Sequence, residues 1–177
     1  MKSSNNIFLV GLMGAGKTTI GRQLAAALGM PFYDTDQEIE RRTGVQISLI
    51  FEIEGEAGFR AREAQVVDEL TQLSNVVLAT GGGAVLDAGS RKHLARRGVV
   101  VYLHGQPKNL WQRTRYGKSR PLLANTDALE KLHCLYRQRD PLYREIADIV
   151  VDTGPQRART LLVQLLPQVR ERCKLSA

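Results

Sequence analysis

Short apolar runs of β type alternate with helical segments along most of the chain. Each run is almost uninterrupted in its hydrophobicity, which is typical of strands that are covered on both faces. We predict five strands in this way, at residues 7–10, 32–34, 76–79, 99–103 and 148–152. Because helical segments separate them, the pattern predicts an α/β fold of three layers, α/β/α, in which helices cover both faces of a five-stranded parallel sheet.

Two of the segments between the predicted strands have a clear helical period. Their apolar residues recur at helical spacing, so each segment has one stripe that can pack against the sheet. In residues 17–29 the stripe consists of Ile20, Leu24, Ala27 and Leu28, and the segment closes on Gly29, a favourable residue for a helix end. In residues 61–73 the stripe consists of Val66, Val67, Leu70 and Leu73.

The length of the chain limits the number of domains. With 177 residues, the chain is too short for two ordinary domains, so we expect a single domain over residues 1–177. No apolar run approaches the roughly 20 residues of a membrane span. The apolar run near the N-terminus is too brief for a signal peptide, and we therefore predict a cytoplasmic protein with no membrane partner. Cys134 and Cys173 are far apart and indicate neither a disulfide framework nor a zinc site.

The net charge of +7 is concentrated in one part of the chain. Residues 91–144 contain 13 Lys and Arg against three Asp and Glu, whereas residues 34–69 contain ten acidic and four basic residues. Arginine outnumbers lysine by 18 to 7, which favours bidentate contacts with carboxylate or phosphate groups. The charge by itself leaves open a solvated basic surface and a nucleic-acid-binding NTPase.

The segment after the first predicted strand matches the phosphate-binding loop of nucleotide enzymes. Gly11, four further residues, Gly16, Lys17 and Thr18 satisfy G-x-x-x-x-G-K-[ST] between a strand and a helix. The glycines allow backbone N–H groups to turn towards phosphate oxygens, and the helix N-terminus adds its dipole. We predict that Lys17 reaches the β- and γ-phosphates and that Thr18 binds Mg²⁺. The nucleotide-binding residues predicted in this loop are Gly14, Ala15, Gly16, Lys17, Thr18 and Thr19.

The rest of the chain favours phosphoryl transfer over nucleotide hydrolysis. It contains neither N-K-x-D nor T-K-x-D, one of which a switch GTPase needs to read guanine. The predicted strand at 76–79 runs into T-G-G-G, where a motor ATPase carries an acid that orients the attacking water. One glycine would be enough to leave the strand through a turn, so the three glycines at 81–83 suggest a second purpose.

The second predicted strand runs into Asp34 and Asp36. If the strand geometry persists, the two side chains point the same way, towards the phosphate loop. One carboxylate can then serve the magnesium shell, while the other orients an attacking hydroxyl and accepts its proton. The alternative is that Asp36 only caps the following helix.

Two arginines from distant parts of the chain fit an anionic acceptor. Arg60 lies three residues before Glu63 and thus on the same helix face, where a surface ion pair is the alternative. Arg139 lies in the basic region, close to a proline. Residues 115–127 are basic, contain glycine and proline, and fit either a mobile lid or a plain loop.

Six short motifs follow one another along the chain: GLMGAGKTT, DTD, FRAREA, TGGGAV, RPLL and QRDPLY. In this order and spacing, over about residues 7–160, they resemble the shikimate kinase family. The resemblance implies a P-loop NTPase fold like that of the nucleoside monophosphate kinases. It also implies an acceptor-binding subdomain at about residues 34–61 and a mobile lid at about residues 115–127.

The resemblance further implies the activity and the partners. A shikimate kinase transfers the γ-phosphoryl group of ATP to the 3-hydroxyl of shikimate, requires Mg²⁺, and acts as a monomer without nucleic acid. The alternative is a gluconate kinase or another small-molecule kinase of the same fold. Gluconate is also a polyol carboxylate, so only the combination of D-T-D, F-R and G-G-G separates the two.

By the same resemblance, individual residues acquire expected roles at the acceptor. Asp36 would bind shikimate hydroxyls and act as the base, and Asp34 would serve the magnesium shell through water. Arg60 and Arg139 would clamp the carboxylate, which a planar guanidinium pairs well. The residues that would line the acceptor site and offer it backbone N–H groups are Gly81, Gly82 and Gly83.

The resemblance also assigns residues to the nucleotide. Arg120, from the lid, would close over the phosphates and neutralise charge that develops during transfer. Arg113 would stack on adenine, and Gln156, in the loop after the last strand, would touch the nucleotide. Position 156 rests on alignment and not on a motif.

Overall fold

The computed structural model describes residues 5–114, 127–154 and 157–173. Within these ranges the strands form one parallel sheet, as the apolar runs predict. The strands are β1 (Ile7–Val10), β2 (Phe32–Asp34), β3 (Val77–Ala79), β4 (Val99–His104) and β5 (Ile149–Asp152). Their order across the sheet is β2-β3-β1-β4-β5, and the predicted fold class is confirmed.

Helices occupy most of the chain between the strands. They are α1 (Lys17–Leu28), α2 (Thr35–Thr43), α3 (Ile47–Thr71), α4 (Ala88–Arg97), α5 (Pro107–Thr114), α6 (Ala128–Ile146) and α7 (Ala158–Cys173). A 3₁₀ turn at Ala84–Leu86 follows β3. No helix in these described ranges is long and apolar enough to cross a membrane.

The strand order creates a crevice at the carboxyl ends of the central strands. β1 pairs with β3 on one side and with β4 on the other. After β1 the chain moves outward through α1 to the edge strand β2, whereas after β3 it crosses to the opposite half of the sheet and forms β4. The loops that follow β1 and β3 therefore leave in different directions, and such a switch point is the usual ligand site of an open parallel sheet.

The two amphipathic segments are helical, although their buried faces differ from the predicted stripes. In α1 the buried apolar residues include Ala25, whereas Ala27 is exposed. Gly29 adopts the left-handed conformation expected at the helix end, with φ 65°. In α3 the predicted stripe is buried as far as Leu70, but the helix ends at Thr71 and Leu73 is exposed.

The two ends of α3 show where a periodic pattern is a poor guide. The helix begins at Ile47, far before the amphipathic segment at residues 61–73. It consists of two helical stretches that meet at Gly55, whose backbone is not helical, with φ 71° and ψ −178°. A side chain is strained at this φ, whereas glycine adopts it without a steric penalty. The helical period of apolar residues is broken at Gly55. A search for one continuous period therefore finds the second stretch of α3 and misses the first.

The condition that strand geometry persists from Asp34 to Asp36 is not met. β2 ends at Asp34, and Asp36 lies in the first turn of α2. The Asp34 side chain accepts hydrogen bonds from the backbone N–H groups of Asp36 and Gln37, and therefore caps α2. Asp34 is thus the capping residue, and the alternative in which Asp36 caps the helix is wrong.

Candidate active site

The phosphate loop connects β1 to α1 and is shaped by glycine. Gly14 and Gly16 have φ of 81° and 93°, which is the left-handed region that other residues adopt only with strain. The Lys17 ammonium lies over the loop, where Nζ donates to Gly11 O at 2.7 Å and to Leu12 O at 3.0 Å. The loop thus holds its own cation close to the backbone that would surround a phosphate.

A cavity of about 550 Å³ opens at the carboxyl ends of β1, β2 and β3. It brings together most of the site residues predicted from the sequence. Those that line it are Gly14, Gly16, Lys17, Thr18, Thr19, Asp34, Asp36, Arg60, Gly81, Gly82, Gly83, Arg113 and Arg139. Ala15 is buried within the phosphate loop and does not line the cavity. Arg120, Gln156 and residues 115–126 of the predicted lid lie outside the described residues.

Thr18 and Asp34 meet where the phosphate loop faces β2. The Thr18 hydroxyl donates to Asp34 Oδ2 at 2.7 Å, while Asp34 Oδ1 caps α2. Mg²⁺ prefers oxygen ligands and is often held by one or two protein oxygens together with substrate phosphates. Thr18 and Asp34 supply two such oxygens side by side, and the pair fits that role.

Asp36 has the properties of a carboxylate that can accept a proton near neutral pH. Burial raises its pKa to about 7, and the negative charges of Glu63 and Asp34 act in the same direction. Lys17 and Arg60 partly oppose the shift of this pKa. Its Oδ1 is hidden from solvent and has no hydrogen-bond partner within the described residues, so this oxygen can accept a bond from a ligand.

Arg60 is part of a buried ion pair, and the alternative of an inconsequential surface pair is wrong. Its Nη1 lies 2.6 Å from Glu63 Oε2, and the Glu63 side chain is only 2% exposed. Arg60 also contacts Glu56, at 3.2 Å through Nη2. Burial raises the pKa of the Glu63 carboxyl, whereas Arg60 and Arg139 lower it. The two arginines, which spacing alone could not bring together, thus act on the same carboxylate.

Glu63 is the main residue of this site to which the sequence assigned no function. It lines the cavity, it is buried, and its Oε1 has no hydrogen-bond partner within the described residues. Its spacing from Arg60 was the available signal, but an (i, i+3) pair of this kind is usually exposed and of little consequence. Glu63 differs from such a pair because it is buried, and the spacing of residues in the sequence does not show burial.

The glycines after β3 have no side chains because the protein's own charged groups occupy the space. A Cβ at Gly81 would overlap Glu63 Oε1 and lie 2.9 Å from Asp36 Oδ1. A Cβ at Gly83 would overlap the Arg60 guanidinium. Glycine is therefore needed at these positions to leave room for the side chains that line the cavity. This requirement adds to the predicted one, which is that an acceptor approaches the backbone closely.

The hydrogen bonds of these glycines refine the predicted backbone donors. The Gly81 N–H donates to Thr35 Oγ1 at 2.8 Å, so the expectation that it is offered to an acceptor does not hold. A Cβ at Gly82 would stand 3.4 Å from Gly11 O and 3.5 Å from Met13 N. The glycine segment therefore packs directly against the phosphate loop, and the two halves of the cavity are in contact here.

Arg113 joins α5 to the loop after β5. Its Nη2 donates to the carbonyl oxygens of Thr153 and Gly154, and the residue lines the cavity. Thr153 is also anchored to β4, because its N–H donates to His104 O at 2.7 Å. The arginine is thus fixed where α5 and the loop after β5 border the cavity.

Comparison with known proteins adds a family to this geometry. A family model described as shikimate kinase matches residues 13–170. The shikimate kinase of Nitrosococcus oceani is 57% identical over 94% of this chain and 87% of its own length. That of Thiobacillus denitrificans is 60% identical over 88% of this chain and 85% of its own length.

Solved structures agree with the sequence comparison. A shikimate kinase from Acinetobacter baumannii, in complex with shikimate, superposes with a TM-score of 0.93 and 49% identity, and the match covers 99% of this chain and 97% of that one. A gluconokinase from Sinorhizobium meliloti, at 18% identity and a TM-score of 0.63, shares the fold alone, over 96% of this chain and 93% of its own. The family model and the relatives above half identity confirm the resemblance carried by the motifs: this chain belongs to the shikimate kinase family.

Proposed function

We propose that this chain catalyses the transfer of the γ-phosphoryl group from ATP to the 3-hydroxyl of shikimate, giving shikimate 3-phosphate and ADP. One observation carries the proposal. A single cavity combines a phosphate loop, a carboxylate of raised pKa and two arginines, contributed by widely separated parts of the chain. Shikimate offers a carboxylate to pair with arginine and hydroxyls to be activated, so its functional groups match those of the cavity.

The acceptor is held at the wall formed by α3, α6 and the loop after β3. Arg60 and Arg139 bind its carboxylate, and Asp36 binds its hydroxyls. The Arg60 charge is balanced by Glu63 and Glu56. These carboxylates keep the guanidinium in place before the acceptor arrives, which reduces the cost of organising it on binding.

The chemical step requires one proton acceptor. The 3-hydroxyl oxygen of shikimate forms a bond to the γ-phosphorus, the bond from that phosphorus to the β-phosphate oxygen breaks, and the hydroxyl proton passes to Asp36. A pKa of about 7 suits Asp36 to accept this proton near neutral pH. Lys17, which contacts loop carbonyls in this structure, binds the phosphates and offsets the charge that develops on them.

Thr18 and Asp34 are the residues that would hold Mg²⁺, Thr18 directly and Asp34 through water. When bound with ATP, the ion would neutralise charge on the phosphates. On the nucleotide side, we propose that Arg113 packs against adenine. Arg120 and Gln156 keep the roles predicted for them, as does the lid at residues 115–127.

The remaining parts of this proposal concern the protein as a whole. We propose a single domain in which residues 34–61 form the acceptor-binding part, and a monomer that acts in the cytoplasm without nucleic acid. Light scattering on the purified protein tests the monomer, and cell fractionation tests the location.

An assay of ADP release tests the activity. The purified protein is given MgATP together with shikimate, gluconate or single-stranded DNA, each in a separate reaction. We expect release that depends on shikimate. Release that is indifferent to shikimate would overturn the proposal, and stimulation by gluconate or DNA would point to the alternative kinase or to a nucleic-acid-dependent NTPase.

Arg60→Ala tests the assignment of the carboxylate clamp. We expect KM for shikimate to rise by about 100-fold, because a hydrogen-bonded charge pair is lost, while KM for ATP changes little. Arg62→Ala is a matched control, since Arg62 lies on the same helix and pairs with Glu54 at the surface. Equal losses for both substrates in Arg60→Ala would contradict the assignment.

A further inference from the structure

Tyr143 lies directly behind the acceptor wall and does not line the cavity. It is fully buried on α6, one helical turn after Arg139. Its hydroxyl donates a hydrogen bond to the carbonyl oxygen of Gly82, across 61 positions of the chain. The same hydroxyl interacts with the Arg139 guanidinium. One oxygen atom thus connects two residues that come from different elements and that both line the cavity.

The ring of Tyr143 is held in place by a second buried tyrosine. It stacks on Tyr102 of β4, with 4.9 Å between ring centroids and an interplanar angle of 30°. The Tyr102 hydroxyl points elsewhere and donates to Asp140 Oδ1 at 2.8 Å. The stack therefore helps to fix the direction of the Tyr143 hydroxyl, because a fully buried, stacked ring has little rotational freedom.

The chemistry of the hydroxyl suits a bridging position. Burial raises the pKa of the Tyr143 phenol, so the group keeps its proton at physiological pH and remains a donor. A phenol has one hydrogen and lone pairs as well. Its hydrogen is used on Gly82 O, which leaves its lone pairs as acceptors, and the nearby Arg139 guanidinium, which lowers the pKa of the phenol, has donors only.

The arrangement limits how Arg139 and Gly82 can move relative to each other. Arg139 is 3% exposed, and its Nη1 lies 3.7 Å from the position of a Cβ at Gly82. Arg139 Nε has no hydrogen-bond partner within the described residues. The Tyr143 hydroxyl is therefore one of the groups that set the position of this guanidinium.

We propose that Tyr143 is a positioning residue for the acceptor carboxylate, since its hydroxyl holds the Arg139 guanidinium and the Gly82 backbone in the arrangement that binds this group. The inference rests on the proposed function, because it takes Arg139 to be half of the carboxylate clamp. It predicts that loss of one hydroxyl, outside the cavity, weakens binding of the acceptor but leaves the nucleotide unaffected.

Tyr143→Phe and Tyr102→Phe form a matched pair. Each removes one buried hydroxyl from the same ring stack, but only Tyr143 contacts Gly82 and Arg139. We expect Tyr143→Phe to raise KM for shikimate about tenfold, as for a lost hydrogen bond to a charged group, with kcat and KM for ATP within about twofold of wild type. Tyr102→Phe should leave all three constants at their wild-type values.

A second measurement separates positioning from general loosening of the core. Dissociation constants are measured for shikimate and for its neutral carboxamide, in which the carboxylate charge is absent. Wild type and Tyr102→Phe should prefer shikimate strongly, whereas Tyr143→Phe should lose about tenfold of this preference. Titration calorimetry in the cold keeps this measurement possible if Tyr143→Phe melts at a low temperature.

The outcomes distinguish the inference from the function on which it rests. If wild type does not use shikimate, the proposed function fails and the inference fails with it. If wild type is active but the two tyrosine variants change shikimate binding equally, or Tyr143→Phe keeps the full preference for the carboxylate, Tyr143 has only a structural role and the inference alone is overturned. A selective loss in Tyr143→Phe supports it.

Discussion

The phosphate loop lies within residues 11–18, whereas the acceptor wall is formed by α3, α6 and the loop after β3, which are far apart in the chain. In the loop, the charge of Lys17 is met by backbone carbonyls that lie five and six residues away. In the wall, charged side chains are buried against one another, as Arg60 is against Glu63. A local motif thus forms the first region, and long-range packing forms the second.

This difference determines how many neighbouring groups a substitution disturbs. Backbone carbonyls keep their positions when Lys17 is changed, because the strand and the helix hold the loop. A change in the acceptor wall leaves a partner buried without its counter-charge, which costs more than the lost pair contributed. We therefore expect changes in the loop to act on one substrate step, and changes in the wall to disturb several groups together.

Lys17→Met should have the largest effect of the changes considered. It removes the loop cation while keeping an unbranched side chain, and we expect kcat to fall about 1000-fold, as when a group that offsets transition-state charge is lost. Steady-state kinetics with both substrates measures it. The melting temperature should change little.

Lys108→Met, on the exposed surface of α5, is the control for this substitution. It should retain wild-type kcat. A Lys17→Met protein that keeps kcat within tenfold of wild type would show that the loop cation is not needed for transfer.

Gly81→Ala should have the next largest effect, and it tests the coupling within the acceptor wall. The added methyl group must displace Glu63 Oε1 and press on Asp36 Oδ1. We expect kcat/KM for shikimate to fall about 100-fold, because misplacement of a catalytic group by about 1 Å has an effect of this size. Initial rates at varied shikimate measure it.

Gly82→Ala provides a graded comparison for this prediction. Its methyl group would meet its nearest neighbours at 3.4 Å and beyond, so the protein itself accommodates it more easily. We expect a smaller loss of kcat/KM for shikimate than in Gly81→Ala. The reverse order would mean that the acceptor, and not the protein's own carboxylates, needs the bare backbone at these positions.

The same contrast explains what could be predicted from the sequence. The phosphate loop was predictable residue by residue, since its glycines, Lys17 and Thr18 are adjacent and the local backbone determines their geometry. The sheet was predictable because its strands are apolar on both faces. The burial of Glu63 was not predictable, because it depends on α6 and on the loop after β3, which meet α3 only in the folded chain.

Asp36 shows a smaller failure of the same kind. Its D-x-D spacing was interpreted with strand periodicity, but Asp34 caps α2 and turns the chain into a helix before residue 36. Both acids still line the cavity, as predicted, although Asp36 does so from a helix and not from a continued strand. The capping of α2 by Asp34 thus decides the direction of the Asp36 side chain, against the alternation of a strand.

Asp36→Asn should make the protein more stable at neutral and alkaline pH. The pKa of Asp36 is about 7 in the folded protein and 3.8 for an ordinary exposed aspartate, so between these pH values the folded state holds a proton that the unfolded state has released. Stability therefore falls as pH rises through this range, and is lowest once Asp36 is charged and buried. We expect Asp36→Asn to be more stable than wild type by about 4 kcal/mol at pH 8, and equal to it near pH 3.

Urea unfolding at several pH values, in the presence of a chelator and without nucleotide, measures this difference. The low-pH values are an internal control, since Asp36 is then uncharged in both states. A wild-type protein that gains stability relative to Asp36→Asn as pH rises from 4 to 7 would contradict the raised pKa.

Arg113→Ala should have the smallest effect, and on the nucleotide alone. The arginine holds the carbonyls of Thr153 and Gly154, but Thr153 is also held by His104 O, so the loop after β5 keeps one anchor when Arg113 is lost. We expect KM for ATP to rise about fivefold with KM for shikimate unchanged, as for one lost contact at a partly exposed site. Arg137→Ala, at the exposed surface of α6, is the control and should leave both constants unchanged. If Arg113→Ala instead raised KM for shikimate as much as KM for ATP, the loop after β5 would be coupled to the acceptor wall. The nucleotide and the acceptor would then not be bound by independent parts of the cavity.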